Sequence, residues 1–117
     1  MGKLTTHILD TTHGMPAKHV QIDLYRRAEN GSELIKSVQT NSDGRTDLPM
    51  LDGEAFQSGK YELVFQVAQY YQDQGIDLGD TPFLDDVVIR FGLNDEDSHY
   101  HVPLLVSPFG YSTYRGS

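Results

Sequence analysis

The chain has no cysteine among its 117 residues. Disulfides, thiolate nucleophiles and cysteine-ligated metals are therefore excluded, and the fold stands on packing alone. Positive charge is scarce: 9 Lys and Arg against 17 Asp and Glu leave a formal net charge of −8. That balance argues against nucleic acid or an anionic membrane surface as partner. No apolar run is long enough to span a bilayer. No signal-peptide pattern is present, because Met1-Gly2-Lys3 runs straight into a strand-like segment. The expected compartment is the cytoplasm, or the periplasm if the sequence is a processed form. Internal repeats and low-complexity segments are missing as well. Hydrophobic residues are 38% of the chain, which predicts a modest core whose exposed apolar surface is completed by oligomerisation. A chain of this length is expected to form one domain, residues 1–117, and to bury roughly 60–70% of its unfolded surface.

What is present is alternation. Leu4, Thr6 and Ile8 point one way and Thr5, His7 and Leu9 the other, which predicts a strand over Leu4–Asp10. Thr11–Lys18 reads as a loop punctuated by Gly14 and Pro16. Val20, Ile22 and Leu24 form a half-buried strand. Asn30-Gly31 is the strongest hairpin signal, since both positions tolerate φ > 0. The returning strand, Glu33–Thr40, carries the polar content of an edge or an outer face. A turn cluster, Asn41-Ser42-Asp43-Gly44, delivers Arg45 at the start of a short segment, Arg45–Leu48. Pro49–Gly59 reads as a loop, and Tyr61, Leu63, Phe65 and Val67 as one face of a strand. Val67–Gln74 supports a two-turn helix with Gly75 at the C′ position. An acidic loop, Ile76–Pro82, precedes a strand over Phe83–Leu93. Asn94-Asp95-Glu96-Asp97 reads as a solvated turn. His99–Ser107 is a strand in which Pro103 removes a ladder donor, which points to an edge or a bulge. Tyr111–Arg115 reads as the last strand, and the ending on Tyr-Arg-Gly-Ser leads to the expectation that this tail is a built part. Seven or eight short strands with one short helix predict an all-β fold, an antiparallel β-sandwich.

Polar residues at strand positions are the anomalies that carry chemistry. His7 shares a face with Thr5. His99 and His101 lie two apart on one strand and so share a face. Arg45 follows a tight turn. A His-x-His pair with a third histidine is one reading, zinc, although no further ligand is clearly placed. A Ser-His-Asp triad is weaker, because no nucleophile-elbow glycine pattern surrounds any serine. A histidine acting as general base on water needs only a near-neutral pKa and a positioned substrate. Arginine nearby would hold a planar, anionic or carbonyl-rich substrate through its fork of donors. His13 and His19 read as partly exposed polar residues, and Tyr111 and Tyr114 as packing residues. His7, Arg45 and His101 come from distant strands, and nothing in the linear pattern brings them together.

Three motifs carry a resemblance: Thr6-His7-Ile8-Leu9-Asp10, Asp43-Gly44-Arg45 and the closing Tyr114-Arg115-Gly116-Ser117. In this order they resemble the 5-hydroxyisourate hydrolase family, transthyretin-like enzymes of urate breakdown. The resemblance covers essentially the whole chain. Transthyretin itself, a thyroid-hormone carrier, has lysine and glutamate where His7 and Arg45 stand, and lacks the closing motif. The resemblance implies a transthyretin-like sandwich of two four-stranded sheets with one short α-helix. It implies a homotetramer, a dimer of dimers, with sites in the channel between dimers and the C-terminal tetrapeptide lining them. The implied reaction is hydrolysis of a ring amide of 5-hydroxyisourate, without cofactor or metal. His7, Arg45, His101 and Ser117 carry over as catalytic residues, and His7, Arg45 and Tyr114 as substrate-binding residues. The shared frame places His101 rather than His99 on the channel-facing position. The alternatives are a carrier of a small aromatic ligand and a purely structural sandwich domain.

Overall fold

Strand β1 (Lys3–Asp10) separates its side chains as its alternation requires. Leu4, Thr6, Ile8 and Asp10 are buried on the inner face, while Thr5, His7 and Leu9 lie half-buried on the outer face. The computed structural model describes residues 2–117. β1 and the short β2 (Met15–Pro16) share a sheet with β7 (His99–Ser107) and β8 (Gly110–Thr113), in the order β2-β1-β7-β8. The second sheet has the order β4-β3-β5-β6, from β3 (Gln21–Ala28), β4 (Gly31–Gln39), β5 (Gly59–Phe65) and β6 (Val87–Leu93). The two inner faces close on one apolar core, with Leu4, Ile8, Ile22, Leu24, Leu63, Phe65 and Leu104 fully excluded from water. This is the transthyretin-like sandwich of two four-stranded sheets, with one short helix, α1 (Val67–Asp73). All its strand pairs are antiparallel except β1 with β7, which is parallel.

Local chemistry accounts for the connections. β3 and β4 form the expected hairpin, with Gly31 at φ 121° and paired to Ala28. Asn30 keeps a negative φ, so only one of the two predicted positions uses the freedom. α1 ends in a Schellman motif: Ile76 N–H donates to Tyr71 O at 3.0 Å and Gly75 N–H to Gln72 O at 3.0 Å, with Gly75 at φ 81°. The helix is tied to β1 through the buried carboxylate of Asp10, which accepts the hydroxyl protons of Tyr70 and Tyr71, each at 2.8 Å.

Four expectations are corrected. The sixth strand begins at Val87, not Phe83. Asp85 instead turns its carbonyl to the Ala68 N–H at 3.0 Å, closing the first turn of α1, and Phe83 packs on Phe109. Thr11–Lys18 is not loop throughout, because Met15–Pro16 pairs with Leu9–Asp10 as β2; the short segment from Arg45 makes a single bridge, to His7. The last strand is Gly110–Thr113, and the chain leaves the ladder before Arg115. Finally, β7 is an interior strand, not an edge. Pro103 is tolerated there because the ladder breaks at it. His101 exchanges both backbone bonds with Gly116, and β8 pairs again from Leu104 onward. Antiparallel pairs alternate, so the missing donor of Pro103 falls on the β8 side, in that gap. There the Thr113 hydroxyl donates to the Pro103 carbonyl at 2.7 Å.

Candidate active site

The parallel pairing of β1 with β7 assembles the site. Its register sets Lys3 beside His99, Thr5 beside His101 and His7 beside Pro103. Odd-numbered residues of both strands therefore share the outer face of the sheet. Three hydrogen bonds result. His7 Nδ1 lies 2.7 Å from His101 Nε2, His101 Nδ1 lies 2.7 Å from the Thr5 hydroxyl, and that hydroxyl lies 2.9 Å from His99 Nε2. The rings of His7 and His101 stack, with centroids 4.8 Å apart. The two facing nitrogens are thus bonded to one another instead of converging on a common point. Among the described residues, no group of three or more metal-ligating side chains forms a site.

Two glycines bring the remaining parts close. Gly44 sits at φ 72°, and a Cβ on it would stand 2.5 Å from the Ile8 carbonyl. That approach lets Ile8 N–H donate to Gly44 O at 2.9 Å and presses the turn onto β1, so that Arg45 pairs with His7. Gly116 plays the same part in the tail. A Cβ there would lie 3.2 Å from His101 Cβ and 3.3 Å from its ring Cδ2. Gly116 N–H donates to His101 O at 2.7 Å, and His101 N–H returns a bond to Gly116 O at 3.3 Å. Arg115 stacks its guanidinium 4.1 Å above the Tyr100 ring, anchoring the tail on the far side. Each motif glycine is explained by close backbone approach.

Electrostatics keep the histidine pair neutral. Burial holds His7 below the ordinary imidazole value, and the positive Arg45 lowers it further. His101 is lowered by burial first, then by repulsion from His7, Arg45 and His99. Both rings are neutral at pH 7, since the ordinary value is about 6.5. Both nitrogens of His101 are engaged. Of the four ring nitrogens of the His7–His101 pair, only His7 Nε2 makes no hydrogen bond among the described residues, so it is the nitrogen of the pair open to an incoming water. Arg45 is exposed and has no carboxylate partner among the described residues.

The expected residues divide. His7, Arg45 and His101 come together, and Ser117 follows directly on the glycine that touches His101. Tyr114 does not join them. It lines an apolar groove of about 320 Å³ between the β6 edge and the tail, with Ile89, Phe91, Tyr100 and Val102 among its neighbours. Alternation alone gives Thr5 a face shared with His7 and no more. Its position between two histidines carried no linear signal, because a hydroxyl in a strand is ordinary.

The HIUase/Transthyretin family model matches residues 4–116. The chain belongs to that family. Within the HIUase/Transthyretin family, it is 56% identical over 116 residues to 5-hydroxyisourate hydrolase 2 of Rhizobium meliloti, covering 99% of this chain and 97% of the relative. The structure of an (S)-allantoin synthase superposes with a TM-score of 0.94 at 44% identity, covering 99% of this chain. This chain spans only 44% of that longer one. Sea bream transthyretin in complex with thyroxine superposes with a TM-score of 0.86 at 28% identity, covering 97% of this chain and 94% of that one. The fold is thus shared with a thyroxine-bound transthyretin, while sequence identity is twofold higher with the Rhizobium relative.

Proposed function

We propose that this chain hydrolyses 5-hydroxyisourate to 2-oxo-4-hydroxy-4-carboxy-5-ureidoimidazoline in urate degradation, without a metal, through a single catalytic domain. The observation that carries the reading is the neutral His7–His101 pair beside Arg45, in a chain 56% identical to a relative named for that hydrolysis. His7 Nε2 takes a proton from water as the water oxygen attacks the ring carbonyl. His101 acts from behind, through its bond to His7 Nδ1, and holds the tautomer that leaves Nε2 bare. Arg45 binds the substrate's carbonyls and stabilises the oxyanion as it develops. The C–N bond then breaks, and His7 returns the proton to the leaving nitrogen. The terminal carboxylate or hydroxyl of Ser117 orients the water or the His7 ring.

Assembly completes the site in this reading. The outer face of β1, β7 and β8 lines a channel between dimers of a homotetramer, and Tyr114 reaches substrate across that channel. Exposed Phe109 and Tyr111, at the turn between β7 and β8, supply apolar surface for such contacts. The protein works in the cytoplasm, or in the periplasm if the sequence is a processed form.

One assay tests the activity. 5-Hydroxyisourate is generated in situ from urate with urate oxidase, and the protein is added while the intermediate's absorbance is followed. Accelerated decay is expected. A decay equal to the spontaneous rate, together with binding of a small aromatic ligand, would establish a carrier instead.

A further inference from the structure

We propose that Thr5 and His99 extend the His7–His101 pair into a proton relay, which moves the charge produced during hydrolysis out to the exposed His99 ring. The inference rests on the hydrolase reading for its chemistry, but its geometry is independent. Three consecutive contacts of 2.7, 2.7 and 2.9 Å join four groups: His7, His101, Thr5 and His99. Neutral rings carry one proton each, and the hydroxyl carries one. With the hydroxyl proton inside the chain, only two arrangements satisfy all three bonds. In one, Thr5 donates to His99, His101 donates to Thr5, and His7 donates to His101. His7 Nε2 is then a bare base. In the other, every donor is reversed, and His7 Nε2 carries a proton. The two settings correspond to the base needed for attack and the acid needed for departure.

The proton count closes. As the water oxygen bonds to the carbonyl carbon, His7 Nε2 takes a proton from the water. The His7 Nδ1 proton passes to His101 Nε2, the His101 Nδ1 proton to Thr5, and the Thr5 proton to His99 Nε2. The positive charge now sits on His99, which is exposed, rather than on the half-buried pair. As the C–N bond breaks, His7 Nε2 gives its proton to the leaving nitrogen and each shift reverses. No proton is gained or lost along the chain. The charged groups that face it among the described residues are Lys3, paired with His99 on β1, and Arg45 from the adjoining turn. Thr5 and His99 touch no reacting atom in this scheme; they act through His7.

The test uses the intact protein with Thr5→Val, Thr5→Ser and His99→Gln, alone and combined. Thr5→Val is expected to lower kcat roughly tenfold, a fraction of what a general base supplies, with KM unchanged. Thr5→Ser restores the rate, since it restores the hydroxyl. His99→Gln gives a similar loss, and the double variant loses no more than either single one, because both cut the same chain. The acid limb of the pH–rate profile shifts in Thr5→Val and not in Thr5→Ser. Nitrogen-15 NMR supplies a readout without substrate: titrating His99 is expected to change the tautomer of His7 in the wild type and not in Thr5→Val. Wild-type kcat in Thr5→Val, multiplying losses in the double variant, or a His7 tautomer indifferent to His99 would each overturn the relay. An inert wild type whose His7 and His99 remain coupled would remove the hydrolase reading and leave the relay standing.

Discussion

Two histidine-bearing sites flank the same strand and do opposite things. Midway along β1, on the outer face, His7 bonds another histidine and stands beside an arginine. Just past the end of β1, His13 in the following turn bonds the carboxylate of Asp10, which is buried on the inner face beneath Tyr70 and Tyr71. The first cluster has no carboxylate among the described residues and keeps its rings neutral. In the second, burial pushes Asp10 up, but bonds from His13, Tyr70 and Tyr71 more than offset it, so its carboxylate stays ionised below the usual range. Burial and the bond to Asp10 raise both tyrosine hydroxyls, which remain protonated donors. The comparison teaches that histidine chemistry is set by the partner. A charged partner fixes a ring in place, whereas a neutral one leaves a lone pair to use.

The largest expected effect is on the outer cluster. Deleting Arg115–Ser117 removes the glycine that braces His101 and is expected to abolish turnover, while thermal melting stays cooperative. Full activity in the truncated protein would break the link between tail and histidines. Next come His7→Asn and His101→Asn, each expected to lower kcat/KM by roughly 10²-fold or more, the scale of a lost general base. The matching change in the turn after β1, His13→Asn, should leave kcat/KM at the wild-type level. Equal losses at His7 and His13 would erase the distinction drawn between the clusters.

Arg45→Ala is expected to lower kcat/KM by roughly 10²-fold through loss of oxyanion stabilisation. It also sharpens the electrostatic half of the comparison. With the cation gone, the pKa values of His7 and His101 should rise toward the ordinary value, read by NMR titration of the free protein. A fall, or no movement, would show that Arg45 does not set their charge. Asp10→Asn acts on stability instead. It replaces the buried acceptor of two tyrosine hydroxyls and should cost about 1–3 kcal/mol in chemical denaturation, with activity per folded molecule retained.

Acid separates the two clusters most finely. All three folded pKa values lie below their ordinary ones, so each contribution to stability is present above the unfolded value and is lost as pH falls through the folded one. The histidine contribution therefore begins to decline below about pH 6.5, and the Asp10 contribution only below about pH 4. Stability measured against pH should show the earlier decline weakened in His7→Asn and the later one removed in Asp10→Asn. A single decline shared by both variants would mean that the clusters are coupled.

Much of the site was legible residue by residue. His7 on a strand, His99 and His101 on one face, and Arg45 after a glycine turn all followed from alternation and turn chemistry. Both motif glycines were visible as well, but the reason for Gly116, close contact with His101, needed coordinates. Pro103 misled because a proline in an interior strand requires a local break in pairing, and the break lies between residues far apart in sequence. Phe83–Asp86 misled for a similar reason: Asp85 spends its carbonyl on α1, a contact that hydropathy does not record.

By itself the sequence determined the alternation of faces along the strand cores, most of the turns, and which residues bear titratable groups. Those are local properties of a chain with a period of two. Register was decided only by the tertiary structure. His7 and His101 are 94 residues apart, and a one-residue slip of β7 against β1 would have carried both β7 histidines to the opposite face. The parallel pairing holds because burying Leu4, Ile8, Val102 and Leu104 on the inner face fixes that register. Packing on one side of the sheet thus placed Thr5 between two imidazoles on the other, and gave His7 its open nitrogen.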